Sequence, residues 1–369
     1  MNQCQSYCRL IKRMGASTPK VSVWQSIVNT CNSNAGKPYT DSYSLPCSVT
    51  SSTTDWPWRS SILAPNGCIY GIPYAGRNVL KYNPVNNTAS YIGSLSGDGY
   101  IYQGGALTGN GCIYGVVSNA SSVLKIDTSN DSITTFGSLP DTDMSWCGAV
   151  YDNNNHVYCV PYYSPYILKI NTSTNSLSYI KVKSTGSISG YWSGGVLAPN
   201  GCIYCAPGAA KTVLKINPAN DTFTELRSIG ITHACMGGAV APNGNVYFAP
   251  RNGTYVVKVN TTTDKVTTFG SLSNSADKWY GACLAPNGCI YCAPCRNSSI
   301  LKINPANDTV STISTTGIGD WAYGCSGALA NDGKIYVLPG AMRKILCIDP
   351  GSSVMTNFSA EALLSPYIN

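Results

Sequence analysis

The stretch GACLAPNGCIYCAPCRNSSILKINPANDTVSTI, residues 281–313, decides how this chain is read. Residues 281–284 form a short apolar run that stops at Ala285-Pro286-Asn287-Gly288. There proline presets φ and glycine supplies a positive φ, so the turn has a mechanism. Residues 289–293 read as a second strand, 299–303 as a third and 309–313 as a fourth, with turn residues at 294–298 and 304–308. Four short strands separated by turn signals make one antiparallel sheet. The unit then recurs along the chain. Its marker is a tyrosine after a β-branched residue, at Tyr70, Tyr114, Tyr158, Tyr204, Tyr247, Tyr291 and Tyr336. A spacing of about 44 residues with four strands per unit is the signature of a β-propeller. Seven marks predict an all-β, seven-bladed β-propeller over residues 60–363, with an irregular N-terminal arm at 1–59 and a tail at 364–369.

Within each unit the four strands can be ranked by distance from the axis. The first carries a pair of tiny residues: Ser60-Ser61, Gly104-Gly105, Gly148-Ala149, Gly194-Gly195, Gly237-Gly238, Gly281-Ala282 and Ser326-Gly327. Small side chains suit a place where backbones crowd, so this strand, A, belongs at the axis and the fourth, D, at the rim. Strand C carries a lysine at positions 81, 125, 169, 215, 258 and 302, with Cys347 in the seventh unit. These lysines read as solvated charges that keep strand edges soluble, the alternative being a functional ring of positive charge. The seventh unit has its own fourth strand at residues 354–358, so no strand exchange is needed, although residues 42–49 could add an outer strand.

The phrases GAVAPNGNVYFA at 238–249 and VKVNTTTDKV at 257–266 resemble the YVTN family of propeller repeats. That pattern runs through a small-residue strand, an Ala-Pro-Asn-Gly type of turn, a Val-Tyr strand and a later Val-Ile-Asp-like strand. The resemblance implies the propeller architecture over all seven units and no common chemistry. Repeats of this kind are also similar to ones in large DNA viruses and protists.

Composition narrows the function classes. Charged residues are 11% of the 369, and the net charge of +7 is spread thinly, which argues against nucleic acid as a partner. No apolar run is long enough to span a membrane, and the first residues lack the apolar core of a secretory signal, so cytosolic synthesis is expected. The 17 cysteines then read mainly as reduced, buried thiols. Sequons such as Asn-Asp-Thr at 220–222 and 307–309 read as turn chemistry rather than as glycosylation sites.

Several residues could carry a site. An aromatic set precedes strand A: Trp58, Tyr102, Trp146, Trp192 and Trp279, with Trp321 and Tyr323 near the seventh unit. Such a ring could stack on a glycan, as in a lectin used for attachment, or could wedge between blades as core. Aspartates 98, 141, 143, 277 and 320 share those loops, where turn formation competes with acid–base work in a hydrolase or lyase. His156 fills a strand position held by cysteine elsewhere, and His233 lies two residues before Cys235 without a triad in view. Cysteines three apart on one strand, as at 289 and 292, point to opposite faces and cannot chelate one ion, so neither a metal nor another cofactor is expected. The arm offers Cys4, Cys8, Arg9, Lys12 and Arg13, and a short helix at 23–30, for contact with other protein chains. The expectation is a non-enzymatic structural component of a large assembly, with a virus particle, as minor capsid or surface protein, as the favoured case.

Overall fold

The computed structural model describes residues 41–50, 56–96, 99–139, 145–182, 191–230, 233–319, 322–324 and 326–351. They build seven antiparallel sheets of four strands each. In blade 1 the strands are Trp58–Leu63, Ile69–Pro73, Val79–Asn83 and Thr88–Ile92, hydrogen-bonded in that order. Blades 2 to 6 repeat it, with strand A at Tyr102–Leu107, Trp146–Tyr151, Trp192–Leu197, Cys235–Val240 and Trp279–Leu284. Burial is greatest in strand B and falls from there to the rim. Strand B is buried at every residue in blade 1, strand C keeps its lysine half exposed, and strand D alternates between exposed and half-buried. That gradient is what stacking two-faced sheets around an axis produces.

Strand A is innermost, and the tiny pair explains how the strands fit. In blades 1 to 5 the register between strands A and B shifts at the second and third residues of strand A, and in blade 6 at the third and fourth. The third residue has a positive φ: 99° at Ser60, 85° at Gly148, 79° at Gly194 and 64° at Gly281. A Cβ on Gly148 would lie 2.7 Å from the Cα of Gly194, and one on Gly194 would lie 2.9 Å from that of Gly237. The glycines are thus required twice, by conformation and by contact between neighbouring blades.

The seventh blade departs from the expected chain path. Its inner strands are Ala328–Leu329, Ile335–Val337 and Leu346–Asp349, and its outer strand is Ser42–Ser44 from the N-terminal side. Ser42 pairs with Asp349 and Ser44 with Cys347. The expectation that no strand exchange is needed is therefore corrected, and residues 354–358 lie outside the described residues. The boundary of the arm moves as well, because residues 41–50 belong to the propeller. Val49 donates its N–H to the carbonyl of Arg343, and the Tyr91 hydroxyl bonds Thr50 through both its N–H and its carbonyl. One segment therefore joins the last blade to the first.

The strand-C lysines are not simply solvated charges. Lys215 meets Asp264 of the next blade at 2.6 Å, and the Tyr204 hydroxyl donates to the other oxygen of that carboxylate at 2.7 Å. Asn200, from the Ala-Pro-Asn-Gly turn, donates to the Tyr204 hydroxyl and to the carbonyl of Thr261. The same latch joins Tyr70 and Lys81 to Asp131, Tyr158 and Lys169 to Asp221, and Tyr247 and Lys258 to Asp308. Each of these aspartates holds a φ between 53° and 62° in its turn, a conformation that Asp and Asn tolerate. At the junction of blades 2 and 3, Asn175 takes the place of aspartate. At the sixth junction Tyr291 and Lys302 hold Asp41, supplied by the closing segment.

Candidate functional site

The latches sit on the face of the A–B and C–D turns. The opposite face, with the B–C and D–A loops, is where the repeats stop resembling each other. The second residue of strand A is Arg59, Gln103, Cys147, Ser193, Met236 and Tyr280 in blades 1 to 6. The residue after strand B is Tyr74, Ser118, Tyr162, Gly208, Arg251 and Cys295. Backbone bonds such as Tyr74 N–H to Pro57 and Arg251 N–H to Ala234 hold the two sets side by side in every blade.

These positions converge over the axis. The guanidinium of Arg59 lies 4.8 Å from the centre of the Trp56 ring and 4.5 Å from that of Tyr74, and it reaches Tyr280 of blade 6 at 5.7 Å. The guanidinium of Arg251, from blade 5, lies 5.3 Å from the same Tyr280 ring. Cys147 of blade 3 feels both arginines. Only the centre of the disc brings blades 1, 3, 5 and 6 together. Tyr74 stacks on Tyr100 with ring centres 4.3 Å apart, and Trp56 stacks on Tyr280 at 6.2 Å. Guanidinium groups held against ring faces gain electrostatic attraction and lose freedom to swing.

Charge in this cluster is unevenly answered. Arg251 Nε meets Asp277 Oδ1 at 2.6 Å, and the Tyr280 hydroxyl donates to the same oxygen. Burial alone would raise the Asp277 carboxyl, but Arg251 and Tyr280 hold it below the usual range. Lys278 is wholly buried, with its ammonium 2.7 Å from the Ser275 carbonyl, and burial pulls its basicity down. Arg59 Nε is buried and has no hydrogen-bond partner among the described residues, and the same is true of Gln103 Oε1. Burial lowers His233, aided by Arg251, and pushes the Cys147 thiol up to about 11 and Cys295 up to about 12. Thiols so protonated are poor nucleophiles. Trp56, His233 and Asp277 each stand two residues before strand A, with φ of 43°, 50° and 54°. Strained backbone of this kind collects where side chains must be aimed.

The aromatic set expected to bind a ligand does something else. Trp58, Tyr102, Trp146, Trp192 and Trp279 are at most 3% exposed. The indole N–H of Trp58, Trp146, Trp192 and Trp279 donates to the carbonyl twenty residues on, at Asn78, Tyr166, Thr212 and Ser299. They are wedges in the blades, because a repeated apolar side chain facing a repeated neighbour is buried by the stacking. Tyr323 is fully buried too. Trp321 lies outside the described residues, as do Cys4, Cys8, Arg9, Lys12, Arg13, the expected helix at 23–30, and four of the five loop aspartates. A side chain on Gly324 would collide with the Trp56 ring. His156 pairs with Asp152 at 3.2 Å and starts a strand, as expected. Arg59, Tyr74, Arg251 and Tyr280 were not singled out in the sequence. The available signal was their departure from an otherwise regular repeat.

No family model matches the chain, and no curated protein is similar to it in sequence. Solved structures do resemble it in fold. Streptogramin B lyase superposes with a TM-score of 0.71 at 13% identity, over 84% of this chain and 97% of that one. Virginiamycin B lyase from Staphylococcus aureus gives 0.70 at 12%, over 84% and 99%. Hydrazine synthase from Kuenenia stuttgartiensis gives 0.62 at 14%, over 82% and 97%. At these identities the likeness is one of fold alone. Among the described residues, no helix is long and apolar enough to cross a membrane, and no cluster of metal-ligating side chains occurs.

Proposed function

We propose that this protein is a non-enzymatic binding scaffold, a rigid disc built of YVTN-type repeats that serves as a protein-interaction component of a larger assembly. One observation carries the reading: the repeated residues latch blade to blade, whereas the residues that break the repeat gather at the axis on a single face. A scaffold that keeps its variable residues on one face is how binding proteins are organised. The raised thiols and the commitment of Asp277 to Arg251 support binding over catalysis. The glycan reading loses its motivation with the burial of Trp146, Trp192 and Trp279. Nothing in the geometry favours a virus particle over another assembly, and that part of the expectation is dropped.

The test is site-specific photocrosslinking in the native cell. Tyr163, 41% exposed in a B–C loop, reports on the axial face, and Val85, 90% exposed in a C–D turn, reports on the opposite one. Protein adducts are expected from position 163 and not from 85. Equal yields from both, or none from 163, would overturn the choice of face. Deleting residues 1–40 while keeping Asp41 tests the arm, and undiminished incorporation into the assembly would remove it from the account.

A further inference from the structure

We infer that the axial cluster is a binding site for a small oxyanion, a carboxylate or a phosphate, held by Arg59 and Arg251; this deepens the scaffold reading and rests on it. Three independent observations converge. Among the described residues, Arg251 is paired with Asp277, whereas Arg59 lies against aromatic rings and the wholly buried Lys278 donates to the Ser275 carbonyl. A buried ammonium and a half-buried guanidinium without a negative partner gain when an anion supplies one.

The second observation is preorganisation. The Arg59 guanidinium lies against both the Trp56 and the Tyr74 ring, and both arginines lie over the Tyr280 ring. A guanidinium fixed in plane presents its N–H edge to paired oxygens, the geometry that carboxylate and phosphate match. The third is unmet hydrogen bonding. Arg59 Nε is a buried donor without an acceptor among the described residues. Gln103, one blade on at the equivalent position, is only 6% exposed, and its Oε1 is likewise unanswered. Arg59, Cys147 and Tyr280 show that this position faces the axis. An oxyanion that also carries an O–H, such as hydrogen phosphate or a hydroxy acid, would accept a hydrogen bond from Arg59 Nε–H and donate one to Gln103 Oε1.

The full chain is titrated with inorganic phosphate, succinate and malate at constant ionic strength, with chloride as control. Tryptophan fluorescence and thermal midpoint are followed together. A saturable change in both is expected from at least one oxyanion and not from chloride, and the pattern across the three separates phosphate from plain and hydroxylated carboxylates. Arg59→Gln should weaken binding by about 10- to 100-fold, the range for a charged hydrogen bond, with an unchanged far-ultraviolet dichroism spectrum. Arg59→Lys, which keeps the charge and loses the fork, should fall between. Gln103→Leu, which leaves both arginines in place, should weaken malate or phosphate more than succinate. A wild-type response no different from chloride, or equal affinity in Arg59→Gln, would overturn the site. Anion binding that persists when crosslinking at position 163 fails would sink the scaffold reading and leave the site standing.

Discussion

The tyrosine in each repeat does its work through one hydroxyl. Tyr204 has its oxygen buried between Asn200 and Asp264, and burial, then the bond to Asp264, pushes its ionisation well above the ordinary range. The partner lysine is more solvated, and the Asp264 side chain is 35% exposed. Magnitudes rank the two. A hydrogen bond to a charged group contributes about 1.5–3 kcal/mol, whereas an ion pair in contact with water contributes about 0.2–1 kcal/mol. Tyr204→Phe should therefore lower unfolding free energy by about 1.5–3 kcal/mol and Lys215→Met by less than about 1 kcal/mol. Urea denaturation of the two variants checks the order, and a larger loss from the lysine would refute it.

At the level of elements, the strand Ser42–Ser44 is three residues long, yet two blade junctions and one strand edge depend on its neighbourhood. Asp41 completes the latch of blade 6, the strand itself covers the edge of Leu346–Asp349, and Thr50 binds Tyr91 of blade 1. The Tyr43 hydroxyl also accepts the Thr316 N–H at 2.6 Å. Blade 7 has Cys347 in place of the lysine, and its Tyr336 hydroxyl turns back to Asp332 of its own blade. Between blades 7 and 1 the lysine–aspartate latch is therefore missing, and the closing segment substitutes for it. Removing residues 41–50 should expose an unpaired strand edge, a template for pairing with another chain. Light scattering after gel filtration should then show dimers or larger species. A monomer of unchanged thermal midpoint would show that the segment is dispensable.

The axial cluster exists only at the scale of the whole molecule, since no two adjacent blades contain it. His233 is its pH-sensitive member. Burial, and Arg251 after it, depress the folded-state value below the ordinary one of about 6.5. The sign follows from linkage: the unfolded chain takes up the proton first, so stability is full above about pH 6.5 and declines as the pH falls through the folded value. Urea midpoints at about pH 7.5 and about pH 5 should differ in that direction, and His233→Gln should reduce the difference. A wild-type midpoint that rises on acidification would contradict the assignment.

Fold and blade number were legible because every unit repeats the same turn residues and the same small pair, and local conformational preference plus one closed packing solution leave no other reading. The inner place of strand A followed from Gly194 and its equivalents for the same reason. The fate of Trp146 and Trp192 was not legible, because an aromatic before a strand looks alike whether it faces solvent or a neighbouring blade. Nor could the pairing of Asp41 with Tyr291, 250 residues apart, be read from local pattern. Arg59, Arg251 and Tyr280 come from three different blades, and closure of the ring is what makes them neighbours.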